Sequence, residues 1–293
     1  MRSARMPVAG ETLSEGEFST SHGGKGSNQA VAAARLGSEV EILSAVGRDA
    51  FGAAAFELWR QEGIAAEHVM RSNAATMVGV ILVDSTGENR IVIAPGALDE
   101  LSPRHIKEFE SRITTSDLLI VSLEIPLEAA LTALKIAREN GVRTLLNPAP
   151  AQRIPDEAWQ WIDVLTPNAT EGRIMLGLDP ADATGEAEVI SKLREVYDGI
   201  VVMTLGSSGA FVDDGAEQFL VPPVTPRAVV DTTGAGDTFT GALGHALTRG
   251  DDLRSATEFA AAAGAYAVGI SEVIPSIPTA VELDSFIAES RKA

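Results

Sequence analysis

The chain has 293 residues, no cysteine, a hydrophobic fraction of 45% and a formal net charge of −18, from 23 Lys and Arg against 41 Asp and Glu. That length allows one large α/β domain or two small ones, the lack of cysteine excludes disulfides and thiolate metal sites and fits a cytoplasmic location, and the acidity argues against a nucleic-acid partner. No run of about 18 apolar residues is present to span a membrane, and residues 1–12 lack the apolar stretch of a secretory signal. Any site for an anionic ligand must therefore be built locally, from backbone amides and a few cations.

Residues 11–22 are polar with isolated apolar positions, a pattern for short edge strands. Gly23-Gly24-Lys25-Gly26-Ser27-Asn28-Gln29 then leads into an Ala-rich helix that ends near Gly37. This is not a Walker A loop, which needs Gly-Lys-Ser/Thr after four spacer residues. Lys25 and Asn28 beside a flexible backbone suit a hydroxyl-rich ligand, against the plainer reading of a turn and a helix. Val40 to Val46 reads as a buried strand and Asp49 to Glu62 as a helix. Thr76 to Val83 and Arg90 to Ala94 read as a hairpin around a turn at 84–89. With 11–22 that hairpin would form a small sheet apart from the main core.

From about residue 102 short apolar strands alternate with helices. The strands are 118–122, 142–146, 164–165 and 200–204, and the helices 127–139 and 186–197. This alternation indicates a mostly parallel sheet covered on both faces. Ligands bind such sheets beyond the carboxyl ends of the strands. Polar residues collect there: Glu124, Asn147, Asn168, Glu171, Thr204 and Gly206.

Asp231-Thr232-Thr233-Gly234-Ala235-Gly236-Asp237-Thr238-Phe239 runs into a helical pattern of Phe239, Ala242, Leu243, Ala246 and Leu247. Glycines before a helix start, with its unpaired N–H groups, favour an anion such as phosphate. A carboxylate at Asp237 repels that anion unless it has a task. It either caps the helix or takes a proton from an attacking hydroxyl. A second Ala-rich helix follows at 254–268, then an extended segment at 269–278, and a last helix at 280–291 capped by Thr279. The simplest partition is one domain over 1–293 with a small lid from about 9–21 and 75–95.

Five spaced motifs together resemble the ribokinase-like (PfkB) family of sugar and nucleoside kinases. They are Gly23 to Gly37, Val46-Gly47-Arg48-Asp49 with Phe51-Gly52, Asn147-Pro148-Ala149-Pro150, Thr166-Pro167-Asn168 with Glu171, and Asp231 to Asp237. The resemblance covers nearly all of residues 8–293. It implies a three-layer sandwich with a β lid and ATP-dependent phosphorylation of a sugar's primary hydroxyl, D-ribose first. It implies Asp237 as general base, with Gly234, Ala235 and Gly236 donating N–H groups to the transferring phosphoryl group. Gly24, Lys25, Asn28 and Glu124 match sugar-binding positions. Asn168, Thr204, Gly206, Gly209 and Gly236 match nucleotide-binding positions. Asn168 and Glu171 match an element that helps place Mg²⁺. Asp231, Thr233 and Ser276 match positions of a monovalent cation, usually K⁺. The lid implies a homodimer, since its apolar residues Val78, Val80, Leu82, Ile91 and Ile93 would otherwise be exposed.

Three departures from the family pattern stand out. The family opens with an apolar strand and an Asn-x-Asp element whose Asp grips the sugar, and residues 1–12 show neither, so the working protein is either longer or altered there. Glu272-Val273 stand where Gly-Ala is typical, with Ile270 at a position often polar. Ala261 and Ala169 replace a His or Asn and a Glu. These departures keep two other readings open: a kinase for another sugar or nucleoside, and a non-catalytic relative that binds sugar or nucleotide.

Overall fold

The computed structural model describes residues 1–85 and 89–291. Its strands are β1 (Ala45–Gly47), β2 (Met70–Ser72), β3 (Val78–Val83), β4 (Asn89–Ala94), β5 (Leu118–Ser122), β6 (Arg143–Asn147), β7 (Val164–Leu165), β8 (Ile200–Thr204), β9 (Ala210–Asp213) and β10 (Gln218–Val221). Its α-helices are α1 (Lys25–Arg35), α2 (Ala50–Gln61), α3 (Pro103–Glu108), α4 (Glu110–Ile113), α5 (Leu127–Glu139), α6 (Ala169–Met175), α7 (Glu186–Arg194), α8 (Ala235–Arg249), α9 (Leu253–Ala267), α10 (Val273–Ser276) and α11 (Ala280–Ser290). No described helix is long and apolar enough to cross a membrane.

The main sheet has the order β10-β9-β8-β7-β6-β5. The pairings among β5, β6, β7 and β8 are parallel, while β9 and β10 turn back antiparallel. Successive residues of a strand face opposite sides. Leu145, Val164 and Val202 accordingly pack with Phe239, Leu243, Ala260 and Phe286 of α8, α9 and α11. Leu146, Leu165, Val201 and Met203 pack with Leu134 of α5 and Ile190 and Leu193 of α7. Helices cover both faces, so the strands read as continuous apolar runs, and the three-layer α/β sandwich is as expected. β9 and β10, and the helical turns between 96 and 113, lie outside that reading.

Three local expectations need correction. Of 11–22, only Glu17 pairs, by a bridge to Arg2, which also bridges to Val83. Polar side chains and Gly16 leave the rest without a ladder. The strand expected at 40–46 is confined to β1, preceded by a bridge from Glu41 to Ala65. The segment 269–278 is not extended throughout, because 273–276 closes into α10. The lid hairpin forms as expected from β3 and β4, antiparallel with Val78 opposite Ala94. Residues 86–88 of its turn lie outside the described residues.

Two helices bring the site together. α1 packs against α8 at Gly241, where an added Cβ would meet the Ala32 Cβ at 2.6 Å and the Gln29 carbonyl oxygen at 2.6 Å. Only a residue without a Cβ allows this approach. In an exposed helix, Gly→Ala gains about 1 kcal/mol of helix propensity. Here overpacking, at about 1–3 kcal/mol, outweighs that gain. Gly241→Ala is therefore expected to lower the thermal unfolding midpoint by several degrees, and an unchanged or raised midpoint would show that α1 does not depend on this contact.

Candidate active site

The site starts where α8 starts. Gly234, the N-cap, has φ 80°, in the left-handed region, which glycine enters at no steric cost. A Cβ there would also lie 2.5 Å from Val273 Cγ1. The Ala235 N–H makes a long bond to the Thr232 carbonyl, 3.3 Å, and the Thr238 N–H bonds the Gly234 carbonyl at 2.8 Å. The N–H groups of Gly236 and Asp237 have no protein partner among the described residues. They point out of a fifteen-residue helix at its positive end.

Asp237 sits in that first turn and is only 7% exposed. Two amides from α1 hold it. Asn28 Nδ2 donates to Oδ2 at 2.8 Å and Gln29 Nε2 donates to Oδ1 at 3.2 Å. Gln29 Nε2 also donates to Asn147 Oδ1 at 3.1 Å, and Asn147 Nδ2 to the Thr166 carbonyl at 3.1 Å. The carboxylate is thereby tied to the ends of β6 and β7. Burial pushes its pKa up from the ordinary aspartate range, opposed by the charge of Lys25 and the bonds from Asn28 and Gln29. A helix cap would face solvent and accept backbone N–H groups. Asp237 does neither, so the capping reading fails. The oxygen of the same Asn28 amide, Oδ1, is buried without a partner. A buried acceptor left open costs free energy, and a ligand hydroxyl donated to it would remove that cost.

Lys25, at the start of α1, is half-buried. Its charge acts on Asp237, Glu124 and Glu171 together. Glu124, just past β5, accepts from the Lys25 backbone N–H at 2.5 Å. Burial raises its pKa, with the Asp237 charge adding to the rise. Glu171 forms a capping box with Asn168. Asn168 Oδ1 accepts from the Glu171 N–H and Glu171 Oε2 from the Asn168 N–H, both at 2.8 Å. Burial raises the Glu171 pKa too, and Asp237 again contributes. Its second carboxylate oxygen has no protein partner among the described residues. Asn168 lies beside Thr204 through a parallel bridge, and Gly206 and Gly209 bound the short 3₁₀ turn that follows. Asn168, Thr204, Gly206 and Gly209 thus share one end of the sheet.

Asp231 accepts from the Thr233 N–H at 2.9 Å and from the Glu272 N–H at 3.4 Å. Burial alone would raise its pKa, but the Thr233 side chain together with the Thr233 and Glu272 N–H groups wins and lowers it. Glu272 has φ 68°, a left-handed conformation for a non-glycine residue. Such strain costs on the order of 1–3 kcal/mol. It gives a physical meaning to Glu where the family pattern has Gly. Ser276 is fully buried, and its hydroxyl donates to the Val273 carbonyl at 2.8 Å, so it is occupied within its own turn.

Gln29 is the functional side chain that sequence reading passed over, and Asn147 was placed at a strand end without a partner. The signal for Gln29 was adjacency to Asn28, since two successive amides on one helix turn can grip both oxygens of one carboxylate. A cavity of about 780 Å³ comes near the site, but Asp237 is not among its lining residues. It lies between β1 and β5 and touches the site at Gly24, Gln29 and Glu124.

The profile of the pfkB family carbohydrate kinases matches residues 2–280. The ribokinase of Haemophilus influenzae is 39% identical over 279 residues, 95% of this chain and 91% of that protein. The ribokinase of Schizosaccharomyces pombe is 40% identical over 296 aligned positions, 97% and 92% of the two chains. The structure of Arabidopsis thaliana ribokinase complexed with ribose and ATP superposes with a TM-score of 0.90 at 29% identity, covering 98% of this chain and 94% of that one. With its buried Asp237 at a glycine-led helix start and this match along almost its whole length, the chain belongs to the pfkB family of carbohydrate kinases.

Proposed function

We propose that this chain transfers the γ-phosphoryl group of ATP to the primary hydroxyl of a small sugar, D-ribose first, giving ribose 5-phosphate. The observation that carries this reading is the placement of Asp237. It is a buried carboxylate with a raised pKa, in the first turn of a helix whose Gly236 and Asp237 N–H groups are open. It stands beside an unpartnered acceptor on Asn28. The relatives named ribokinase, and the Arabidopsis structure with ribose and ATP, support the substrates.

In this reading the sugar hydroxyl donates to Asp237, the hydroxyl oxygen attacks the γ-phosphorus, the proton passes to Asp237, and the bond to ADP breaks. The backbone from Gly234 through Ala235 to Gly236 faces the negative charge that builds on the phosphoryl oxygens. Gly24, Lys25, Asn28 and Glu124 hold the other hydroxyls, and Asn168, Thr204, Gly206 and Gly209 line the nucleotide's end of the site. Mg²⁺ enters with ATP and neutralises phosphate charge when bound. Glu171 fits that task, with one carboxylate oxygen free for a metal-bound water. K⁺ as an activator rests on Asp231 and Thr233, with Ser276 occupied elsewhere. The working unit is one kinase domain in the cytoplasm. The exposed Val80, Val92 and Ile93 of the lid, 51%, 69% and 44% exposed, support a homodimer through β3 and β4.

ADP release with ATP, Mg²⁺, K⁺ and ribose tests the chemistry. Asp237→Asn is expected to lower turnover by about a hundredfold or more, the scale of a general base; equal turnover would sink the assignment. The same variant tests the burial argument. A carboxylate whose folded pKa is raised adds stability that is full below its unfolded pKa and is lost as pH rises through the folded pKa. Asp237→Asn is thus expected to unfold at a higher temperature than the parent at neutral pH, with the gap closing in acid. A lower midpoint would mean that activity was lost through the fold. For the dimer, light scattering is expected to give twice the chain mass, falling to one chain mass in Val80→Lys; a monomeric parent refutes it.

A further inference from the structure

Val46-Gly47-Arg48-Asp49 with Phe51-Gly52 has no part in the site described above. Asp49 is the N-cap of α2 and accepts from the Gly52 N–H at 2.8 Å. A cap needs one oxygen, and Ser or Asn serves there about as well as Asp. Asp49 does more. Its Oδ2 accepts from the Thr76 N–H at 2.8 Å, and its Oδ1 also accepts from the Thr76 hydroxyl at 2.6 Å. That hydroxyl in turn accepts from the Gly47 N–H at 2.9 Å. Donors at both oxygens require a carboxylate, since a hydroxyl has one oxygen and an amide turns an N–H₂ to one side. These bonds, the one from the Thr76 hydroxyl first, hold the Asp49 pKa down at about 2. Gly47 makes room for the contact. A Cβ there would lie 2.5 Å from the Ala74 carbonyl oxygen and 2.6 Å from the Thr76 nitrogen.

Thr76 stands two residues before β3, where the chain enters the lid, and Gly96 two residues after β4, where it leaves. The Ala97 N–H bonds the Ala75 carbonyl at 2.8 Å. The two crossings are therefore fastened to each other, and through Thr76 to Asp49. Met77 follows Thr76 across one planar peptide, so a shift of Thr76 is carried to it. A Cβ on Gly24 would lie 3.5 Å from Met77 Cε and 3.9 Å from Glu124 Oε2. Met77 thus packs at Gly24, beside Glu124, at the sugar's end of the site. It is half-buried and apolar, which suits a carbon face of a sugar whose hydroxyls are held from the other side.

We propose that Asp49, acting through Thr76, is a positioning residue for sugar binding: it fixes the root of the lid so that Met77 stays against Gly24. The inference rests on the sugar-kinase reading above. Asp49 touches no reactant, and Met77 supplies the contact.

Asp49→Ser keeps a helix cap of similar quality and loses the clamp. Thr76→Val keeps the shape of the side chain and loses its hydroxyl, whereas Thr76→Ser keeps the hydroxyl. Three readouts are compared with the parent: steady-state kinetics with ribose and ATP, the rise in unfolding midpoint on adding ribose, and hydrogen exchange without substrate in fragments covering 74–83 and 89–97. Asp49→Ser and Thr76→Val are expected to raise the KM for ribose about tenfold, inside the roughly hundredfold cost of a 1 Å misplacement. The ribose-induced rise in midpoint is expected to shrink with it. Exchange at the lid root is expected to quicken about tenfold. The KM for ATP and the acid limb of kcat/KM are expected to stay in place, because Asp49 is ionised at every working pH and makes no contact with Asp237. Thr76→Ser is expected to match the parent throughout.

An unmoved KM for ribose, an equal rise in both KM values, or unchanged exchange overturns the proposal. So does a Thr76→Ser that behaves like Thr76→Val. If Asp49→Ser does not fold, the two Thr76 variants still decide. A parent without turnover defeats the kinase reading and leaves the ribose-induced midpoint and the exchange, neither of which needs turnover, to decide the clamp.

Discussion

Two amides on one turn of α1 hold one buried carboxylate at the start of α8, and the site depends on that contact. Removing a carboxylate from water costs several kcal/mol unless donors replace the water. Hydrogen bonds to a charged group return about 1.5–3 kcal/mol each. Asn28 and Gln29 supply two. They reach Asp237 only because α1 and α8 meet at Gly241, where no side chain separates them. Asn147 fixes the far side of Gln29, so the β6 strand end sets the same geometry.

The balance left over is unfavourable to the ionised Asp237. Burial outweighs the donors and Lys25, and the pKa lies above the ordinary range. A base of raised pKa takes a proton more readily, so in the proposed mechanism the strain that lowers stability at neutral pH also serves proton transfer. Glu124 and Glu171 add to it, since each is half-buried and in the field of Asp237. Three acids around one lysine would repel a phosphate. The open N–H groups at the start of α8, and a cation arriving with the nucleotide, offset that repulsion.

Much of this was legible in the chain. Apolar runs at 118–122, 164–165 and 200–204 gave the parallel strands because burial on both faces imposes continuous hydrophobicity. Asp49 and Thr279 marked helix starts, and each side chain does accept from the third residue on. The glycines of 234–236 marked the helix start at which the buried Asp237 sits. The partners of Asp237 were harder to see, because Asn28 and Gln29 are 209 and 208 residues away in sequence and only the fold brings them together. β9 and β10 were missed because Ala210–Asp213 and Gln218–Val221 mix polar or small residues with a short apolar stretch, giving neither a continuous apolar run nor a clear alternation. The capping box of Asn168 and Glu171 shows a residue pair holding a helix start and facing the site at once.

The claim that Gln29 and Asn28 govern the charge of Asp237 is tested most directly by the acid limb of kcat/KM for ribose. Burial raises the Asp237 pKa and the two donors lower it, so loss of a donor leaves burial less opposed. The parent is expected to lose activity in acid at a pH above the ordinary aspartate range, and Gln29→Leu to lose it at a higher pH still. An acid limb that Gln29→Leu leaves in place would contradict the account.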